Sequence, residues 1–209
     1  MTQFIVARNT DGLIMAADSK GFDFDLNGTM QEVTINPLVR LSTHSIILAG
    51  GDADAGQIAQ SLAHFIEGEK LSSISDIAMA ALPFLSAEYE KVMRRKCNCI
   101  PVDPVQHMYF ILGGMNFEQE PAFQLELIWN RKKLPQLDRE EISTAFSVPR
   151  LMGFEYGLAA KITQGTALEE LSSMISSKMY SLQKADDSSI SSPLHLATVT
   201  RQGVVQETL

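Results

Sequence analysis

The stretch that decides the fold is Thr2-Gln-Phe-Ile-Val-Ala-Arg-Asn-Thr-Asp-Gly-Leu-Ile-Met-Ala-Ala-Asp18, which follows Met1. Two short runs of residues that favour β-strands, Phe4–Ala7 and Leu13–Ala17, flank the segment Asn9-Thr10-Asp11-Gly12. Asparagine, aspartate and glycine favour tight turns, and glycine adopts positive φ without steric cost. We therefore predict a β-hairpin whose second strand returns Asp18 towards the start of the first.

The chemistry of Thr2 depends on whether Met1 is removed. Without Met1, Thr2 carries a hydroxyl nucleophile and a free α-amine on one residue. An α-amine has a pKa of about 7.7–8.0, so it can serve as the general base that a threonine hydroxyl needs. A retained Met1 acylates the amine and blocks this chemistry. Thr2 and Asp18 are candidate catalytic residues, and a purely structural hairpin is the alternative.

Composition and charge exclude several classes of protein. The 209 residues, 45% hydrophobic and 20% charged, predict one globular domain over 1–209. A net charge of −8 argues against a nucleic-acid partner. The longest apolar runs are too short to cross a membrane, and no signal-peptide pattern opens the chain. Cys97 and Cys99 are badly spaced for a disulfide, which together with the missing signal predicts a cytoplasmic protein.

The order of the expected elements indicates the α+β class. Strands at the start are followed by two helices, one capped by Asp52 or Asp54 and ending near Gly68, the other running from Ser73 to a basic end. Two more strands come next, and then two helices, from about Pro149 to Ile162 and from Thr166 onwards. The last strands are Leu194–Thr200 and Val204–Glu207. Strands and helices in separate blocks favour antiparallel sheets over a parallel βαβ arrangement.

Two local patterns suggest ligands but are better explained by structure. Asp23-x-Asp25-x-Asn27-Gly28 matches the first half of a calcium loop, but Thr34 stands where the bidentate glutamate belongs. Asn27-Gly28 instead predicts a hairpin turn. The basic residues at the end of the second helix suit the negative end of its dipole or a subunit contact better than nucleic acid. They are Lys91, Arg94, Arg95 and Lys96. No cofactor or metal is predicted, because the four histidines lack zinc spacing and no phosphate or dinucleotide loop occurs.

Three segments resemble proteasome β-subunits and their bacterial HslV-type relatives. Ala16-Ala17-Asp18-Ser19-Lys20 is similar to the family's Ala-Ala-Asp-Ser-Arg. The strand Ser45–Gly50, followed by Gly51-Asp52-Ala53-Asp54-Ala55, is similar to a family strand that ends in Ala-Gly before a helix. The final hairpin around His195–Gly203 is a weaker match. The resemblance implies a four-layer αββα sandwich, with two antiparallel sheets between helix pairs, as in the N-terminal nucleophile hydrolases.

The resemblance also implies roles for four residues. Thr2 matches the nucleophile and Asp18 the aspartate that tunes it. Gly50 matches the residue whose backbone N–H forms the oxyanion hole. Asp187 falls on the aspartate that supports the site.

The chain departs from the family pattern at two places. The family lysine belongs just before the strand Leu38–Ser42, where this chain has Asn36-Pro37. Lys20 or Arg40 could supply positive charge, but an arginine stays protonated and cannot shuttle a proton. The family's Gly-Ser-Gly motif is absent from the segment before the third helix, which reads Ser147-Val-Pro-Arg150.

Three hypotheses about function follow. The first is a threonine-type endopeptidase that hydrolyses peptide substrates inside a homo-oligomeric ring, with stacked rings and an ATPase unfoldase as expected partners. The second is a catalytically degenerate ring or scaffold subunit that kept the fold and lost the lysine. The third is a small-molecule amidohydrolase of the same fold. The retained Thr2, Asp18 and Gly50 favour the first and third, and the missing lysine favours the second.

Overall fold

The computed structural model describes residues 2–24, 29–96, 108–117, 120–130, 136–185 and 190–209. Within these ranges the chain is mixed α+β, with four helices and three antiparallel sheets. The helices are α1 (Asp54–Gly68), α2 (Ile74–Lys96), α3 (Met152–Thr163) and α4 (Leu168–Ala185). The strands are β1 (Phe4–Arg8), β2 (Leu13–Asp18), β3 (Lys20–Phe24), β4 (Met30–Thr34), β5 (Leu38–Ser42), β6 (Ser45–Gly51), β7 (Met108–Met115), β8 (Phe123–Trp129), β9 (Asp138–Glu141), β10 (Ala145–Val148), β11 (Leu194–Thr200) and β12 (Gly203–Thr208). None of the helices in these ranges has both the length and the apolar composition needed to cross a membrane.

The predicted first hairpin is confirmed and lies inside a five-stranded sheet. This sheet has the order β10-β1-β2-β11-β12, and Phe4 of β1 pairs with Ala17 of β2. The side-chain carbonyl of Asn9 accepts the backbone N–H groups of Asp11 and Gly12, which closes the turn. An asparagine that satisfies turn amides in this way fixes the register of the two strands. β1 is therefore hydrogen-bonded on both sides, to β2 and to β10.

A second five-stranded sheet has the order β5-β6-β7-β8-β9. Its strand β6 is fully buried and leads into α1 at the Gly50-Gly51 pair. The small hairpin β3-β4 joins the two larger sheets, because the carbonyl of Phe22 accepts the N–H of Ala53 beyond β6. The chain thus places the end of β2, the start of β3 and the end of β6 next to each other.

Three hydrophobic clusters form the core. The first lies between α1 and α2 and one face of the second sheet, and the second lies between the two sheets. The third lies between α3 and α4 and the other face of the first sheet. β1 contributes to two of them, since Phe4 and Val6 face the second sheet while Ile5 and Ala7 face the helices. A strand buried on both faces has a continuous apolar sequence, as β1 and β2 do.

Most elements lie close to their predicted positions, but one boundary is shifted and two strands are additional. α3 begins at Met152, since Pro149 lies before the helix and the N–H of Leu151 bonds to the Ser147 hydroxyl. The strands β9 and β10 were not predicted. β3 and β4 pair as expected, but the Asn27-Gly28 turn itself lies outside the described residues.

Candidate functional site

Thr2 lies just before β1, at a point where three other elements meet. Its hydroxyl donates a hydrogen bond to the carbonyl of Lys20 on β3, with an O···O distance of 2.5 Å. The N–H of Gly51, at the end of β6, points to the same hydroxyl oxygen at 3.4 Å. The phenol of Tyr109 on β7 donates to the Thr2 carbonyl at 3.2 Å. Thr2 has no exposed surface, so a substrate carbonyl can reach its hydroxyl only after this position opens.

Asp18 lies beside Thr2 at the end of β2 and is also fully buried. One carboxylate oxygen accepts the N–H of Gln3 at 2.9 Å, and the other accepts the N–H of Ser191 at 3.1 Å. Burial disfavours the charged form, while these N–H groups favour it. Burial is the larger effect and raises the pKa of Asp18 from 3.8 to about 6. A carboxyl group that titrates this close to neutrality is the kind of group found at functional sites.

Gly50 and Gly51 form the part of the site contributed by β6. Gly50 pairs with Tyr109, and a Cβ at Gly50 would lie only 2.2 Å from the Tyr109 hydroxyl oxygen. Gly51 has a φ of +93°, a conformation that side chains other than glycine rarely adopt. The amide that points to Thr2 belongs to Gly51, one residue after Gly50. The role of the Gly50 N–H stays a prediction.

The other positions that the family pattern requires are only partly accounted for. Asp187 lies outside the described residues. The Lys20 ammonium forms an ion pair with Glu32 at 2.6 Å and lies 5.7 Å from the centroid of the Phe22 ring. Arg40 is exposed, and its guanidinium donates to the carbonyl of Ser42. These contacts do not bring the side chain of Lys20 or of Arg40 to Thr2.

Ser147 is buried, and its hydroxyl forms hydrogen bonds that organise the start of α3. Its hydroxyl oxygen accepts the N–H of Leu151 at 2.8 Å and lies 2.6 Å from a carboxylate oxygen of Glu155. Arg150 forms an ion pair with the same carboxylate at 2.6 Å. Burial raises the pKa of Glu155, but the hydrogen bonds that its carboxylate accepts from Arg150, Ser147 and the Leu151 N–H together outweigh burial and lower the pKa overall. These contacts satisfy the backbone at the start of α3, where the first N–H groups of a helix lack partners inside it.

Ser19, the residue after Asp18, forms a hydrogen-bonded pair with His195 that the sequence does not suggest. The hydroxyl of Ser19 donates to the carbonyl of Pro193 at 2.6 Å, and its oxygen lies 2.9 Å from Nε2 of His195. A hydroxyl has one proton, and a carbonyl only accepts, so Nε2 of His195 must be the donor to Ser19. Histidine is therefore not a base for this serine. The pair instead ties the end of β2 to the segment that supplies the Ser191 N–H to Asp18.

Comparison with known proteins adds no family assignment. No protein-family model matches the chain, and no curated protein is similar enough to it to count as a match. Conclusions about function therefore depend on the residues and their geometry. Among the residues that the structure describes, no group of three or more histidine, cysteine, aspartate or glutamate side chains is arranged to hold a metal ion.

Replacing Asp18 with asparagine should change how stability depends on pH. Because folding raises the pKa of Asp18 from 3.8 to about 6, the folded protein binds this proton more tightly than the unfolded chain does. The wild type should lose stability as the pH rises from about 4 to about 6, and little more above that. Relative to Asp18→Asn, the expected loss between pH 4 and pH 7 is about 2.5 kcal/mol. Urea denaturation of both proteins across this range measures it, and parallel curves would contradict the assigned pKa.

Proposed function

We propose that the chain is a threonine-type hydrolase of the N-terminal nucleophile class, which cleaves peptide bonds with Thr2. One observation carries the proposal: the Thr2 hydroxyl, the Gly51 N–H and the buried Asp18 carboxyl converge at the start of β1. A nucleophile, an amide donor and a titratable group are the components that acyl transfer requires. The finer fold proposed with it is the four-layer αββα sandwich, supported by the three hydrophobic clusters.

The proposed reaction begins with removal of Met1, which frees the α-amine of Thr2. The amine accepts the hydroxyl proton while the oxygen attacks the substrate carbonyl. It then passes this proton to the nitrogen of the scissile bond, which leaves as the amine of the cleaved peptide while an ester forms on Thr2. In this scheme the Gly51 N–H, which donates to the Thr2 hydroxyl, stabilises the oxyanion, a contribution of about 10²–10³ in rate for a single donor. Water then hydrolyses the ester. An ionised Asp18 beside the Gln3 amide would place negative charge near the amine and stabilise its protonated form.

The proposal extends to assembly. A homo-oligomeric ring, stacked rings and an ATPase unfoldase are the partners that the resemblance to proteasome β-subunits suggests, with peptides as substrates and the cytoplasm as the compartment. Size-exclusion chromatography with light scattering measures the number of subunits directly.

A specific observation favours the alternative of a catalytically degenerate ring or scaffold subunit. At the place of the family lysine, the Asn36 side chain accepts the N–H of Leu38 at 3.2 Å. The Pro37 carbonyl accepts the N–H of Ala49 at 2.8 Å. These residues organise the backbone of β5 and β6 and carry no charge to tune a nucleophile. A subunit of this kind would assemble normally and hydrolyse nothing.

Intact mass spectrometry separates the two functions. The protein is incubated with a peptidyl epoxyketone, a probe that must react with both the α-amine and the β-hydroxyl of the same residue. A mass without Met1 and with one probe attached would support the hydrolase. A Thr2→Ser variant should also gain one probe, and Thr2→Ala should gain none. A mass that retains Met1 without an adduct would reject the hydrolase for this form of the chain and favour the scaffold subunit.

A further inference from the structure

Lys96, at the end of α2, lies in a cluster of carboxylates close to the candidate site. Its ammonium lies 2.9 Å from Asp23 and 3.1 Å from each of Asp52 and Asp54. Asp52 is fully buried, and 9% of Lys96 is exposed. Burial raises the pKa of Asp52, although hydrogen bonds from the Asp54 N–H and from Lys96 oppose this effect. Burial lowers the pKa of Lys96, but the carboxylates outweigh it and raise the pKa overall. Lys96 thus remains charged and balances a carboxylate that is removed from water.

Asp52 connects this cluster to the backbone that faces Thr2. It directly follows Gly51, whose N–H points to the Thr2 hydroxyl. One carboxylate oxygen of Asp52 accepts the N–H of Asp54 at 2.9 Å, at the start of α1. Both carboxylate oxygens lie 3.1 Å from the Lys96 ammonium. The bend from β6 into α1 is therefore fixed on one side by an ion pair that is shielded from solvent.

The carboxylates around Lys96 explain why a lysine is buried at this position. A buried charge is costly unless it is paired and hydrogen-bonded. The three neighbouring basic residues of α2 show the ordinary arrangement. Their side chains are 62–79% exposed. Lys91 and Arg94 pair with Glu88 and Glu90 of their own helix, and Arg95 binds Asp54 from the exposed side of the cluster. Lys96 alone among these four forms an ion pair with Asp52, the residue that follows Gly51.

We propose that Asp52 and Lys96 form a positioning pair that holds the Gly51 N–H at the Thr2 hydroxyl. The inference deepens the proposed hydrolase function and rests on it for its catalytic consequence. Neither residue touches substrate in this scheme. Both act through the backbone of Gly51, which joins Asp52 to the Gly50–Gly51 peptide that carries this N–H. Small displacements of a positioned group lower enzymatic rates strongly, by about 10² for 1 Å.

Substitutions at Lys96 test the catalytic part of the inference. Lys96→Met should lower kcat for peptide hydrolysis by about 10- to 100-fold and change KM little, because the displaced donor acts on the transition state. Lys96→Arg keeps the charge and should recover part of kcat. Lys91→Met is the matched control, since Lys91 is an exposed lysine of the same helix that pairs with Glu88. The double variant Asp52→Asn with Lys96→Met removes both charges together. It can therefore be measured in place of Lys96→Met if that single variant does not fold.

Magnetic resonance of the Gly51 amide tests the structural part without any activity. In protein labelled with ¹³C-carbonyl and ¹⁵N glycine, only a glycine that follows another glycine gives a carbonyl-filtered amide signal. The chain has two such glycines, Gly51 and Gly114. Gly114 pairs with Ser45 at the opposite end of β6 and serves as the internal reference. Lys96→Met should shift the Gly51 signal and speed its hydrogen exchange, leave Gly114 unchanged, and Lys91→Met should change neither.

The two measurements separate failure of the inference from failure of the proposed function. If Gly51 and Gly114 respond equally, or if neither responds, the positioning pair is overturned whatever the activity. If the Gly51 signal moves but the wild type neither hydrolyses peptides nor gains the epoxyketone, the pair stands and the hydrolase falls. If kcat falls equally in Lys96→Met and Lys91→Met, the effect is general destabilisation and the inference is overturned.

Discussion

Replacing Thr2 with alanine should abolish peptide hydrolysis, with kcat at least about 10³-fold below that of the wild type. The hydroxyl is the only nucleophile in the proposed reaction, and the oxyanion donor alone accounts for the residual rate. The surroundings of the Thr2 hydroxyl support its role as nucleophile, because the Gly51 N–H points to the hydroxyl oxygen. Hydrolysis of a fluorogenic peptide, followed under single-turnover conditions, measures the effect.

The control for this experiment is Thr2→Ser, which keeps a hydroxyl and an α-amine. It should retain measurable turnover and a burst of acyl-enzyme. Circular dichroism of Thr2→Ala checks that the fold persists without the hydrogen bond to the Lys20 carbonyl. Equal rates in Thr2→Ala and the wild type would remove Thr2 from the mechanism.

Gly50→Ala should destabilise the protein by about 3 kcal/mol, at the upper end for an overpacked core. The added Cβ would lie 2.2 Å from the hydroxyl oxygen of Tyr109 and 2.4 Å from its ring carbon Cζ. Tyr109 cannot move away easily, because it is buried and the centroid of its ring lies 5.0 Å from the centroid of the Phe4 ring. The shift should also break the hydrogen bond from Tyr109 to the Thr2 carbonyl. Urea denaturation measures the loss of stability.

Two variants show whether the clash is the cause. Gly157 lies inside α3 with nothing within 4 Å of an added Cβ, so Gly157→Ala should stabilise the protein by about 0.5–1 kcal/mol. Tyr109→Leu in the Gly50→Ala background makes room and should restore part of the lost stability. A Gly50→Ala protein as stable as the wild type would show that Tyr109 has another position available.

Local chemistry was sufficient to predict the parts of the fold that depend on neighbours in sequence. The hairpin of β1 and β2 followed from Asn9–Gly12, and the structure shows why, since the Asn9 side chain closes the turn. The last two strands and all four helices were predicted near their observed positions. Apolar residues at helical spacing, such as Ile58, Leu62 and Ile66 in α1, do form its buried face.

Features that depend on distant partners were missed. β9 reads Asp-Arg-Glu-Glu, which has no strand signal, and it forms because β8 offers it a free edge. The importance of Gly51 in addition to Gly50 depends on the direction of the Gly51 N–H at the end of β6. The spacing of residues in the sequence does not encode this direction. The sequence indicates only that Lys96 suits the end of a helix. Only the approach of Asp23 and Asp52 from other elements shows that it is buried.

The arrangement of the first sheet has a consequence for the order of folding during synthesis. β2 pairs with β11, and the Asp18 carboxylate accepts the N–H of Ser191, which lies 173 residues further along the chain. At about 5–20 residues per second, a ribosome needs roughly 10–35 s to make the intervening chain. The edge of β2 that pairs with β11 must therefore wait for its partner strand until residues 190–200 emerge. The aspartate beside Thr2 acquires its buried surroundings only then, so the candidate site is among the last parts of the protein to be assembled.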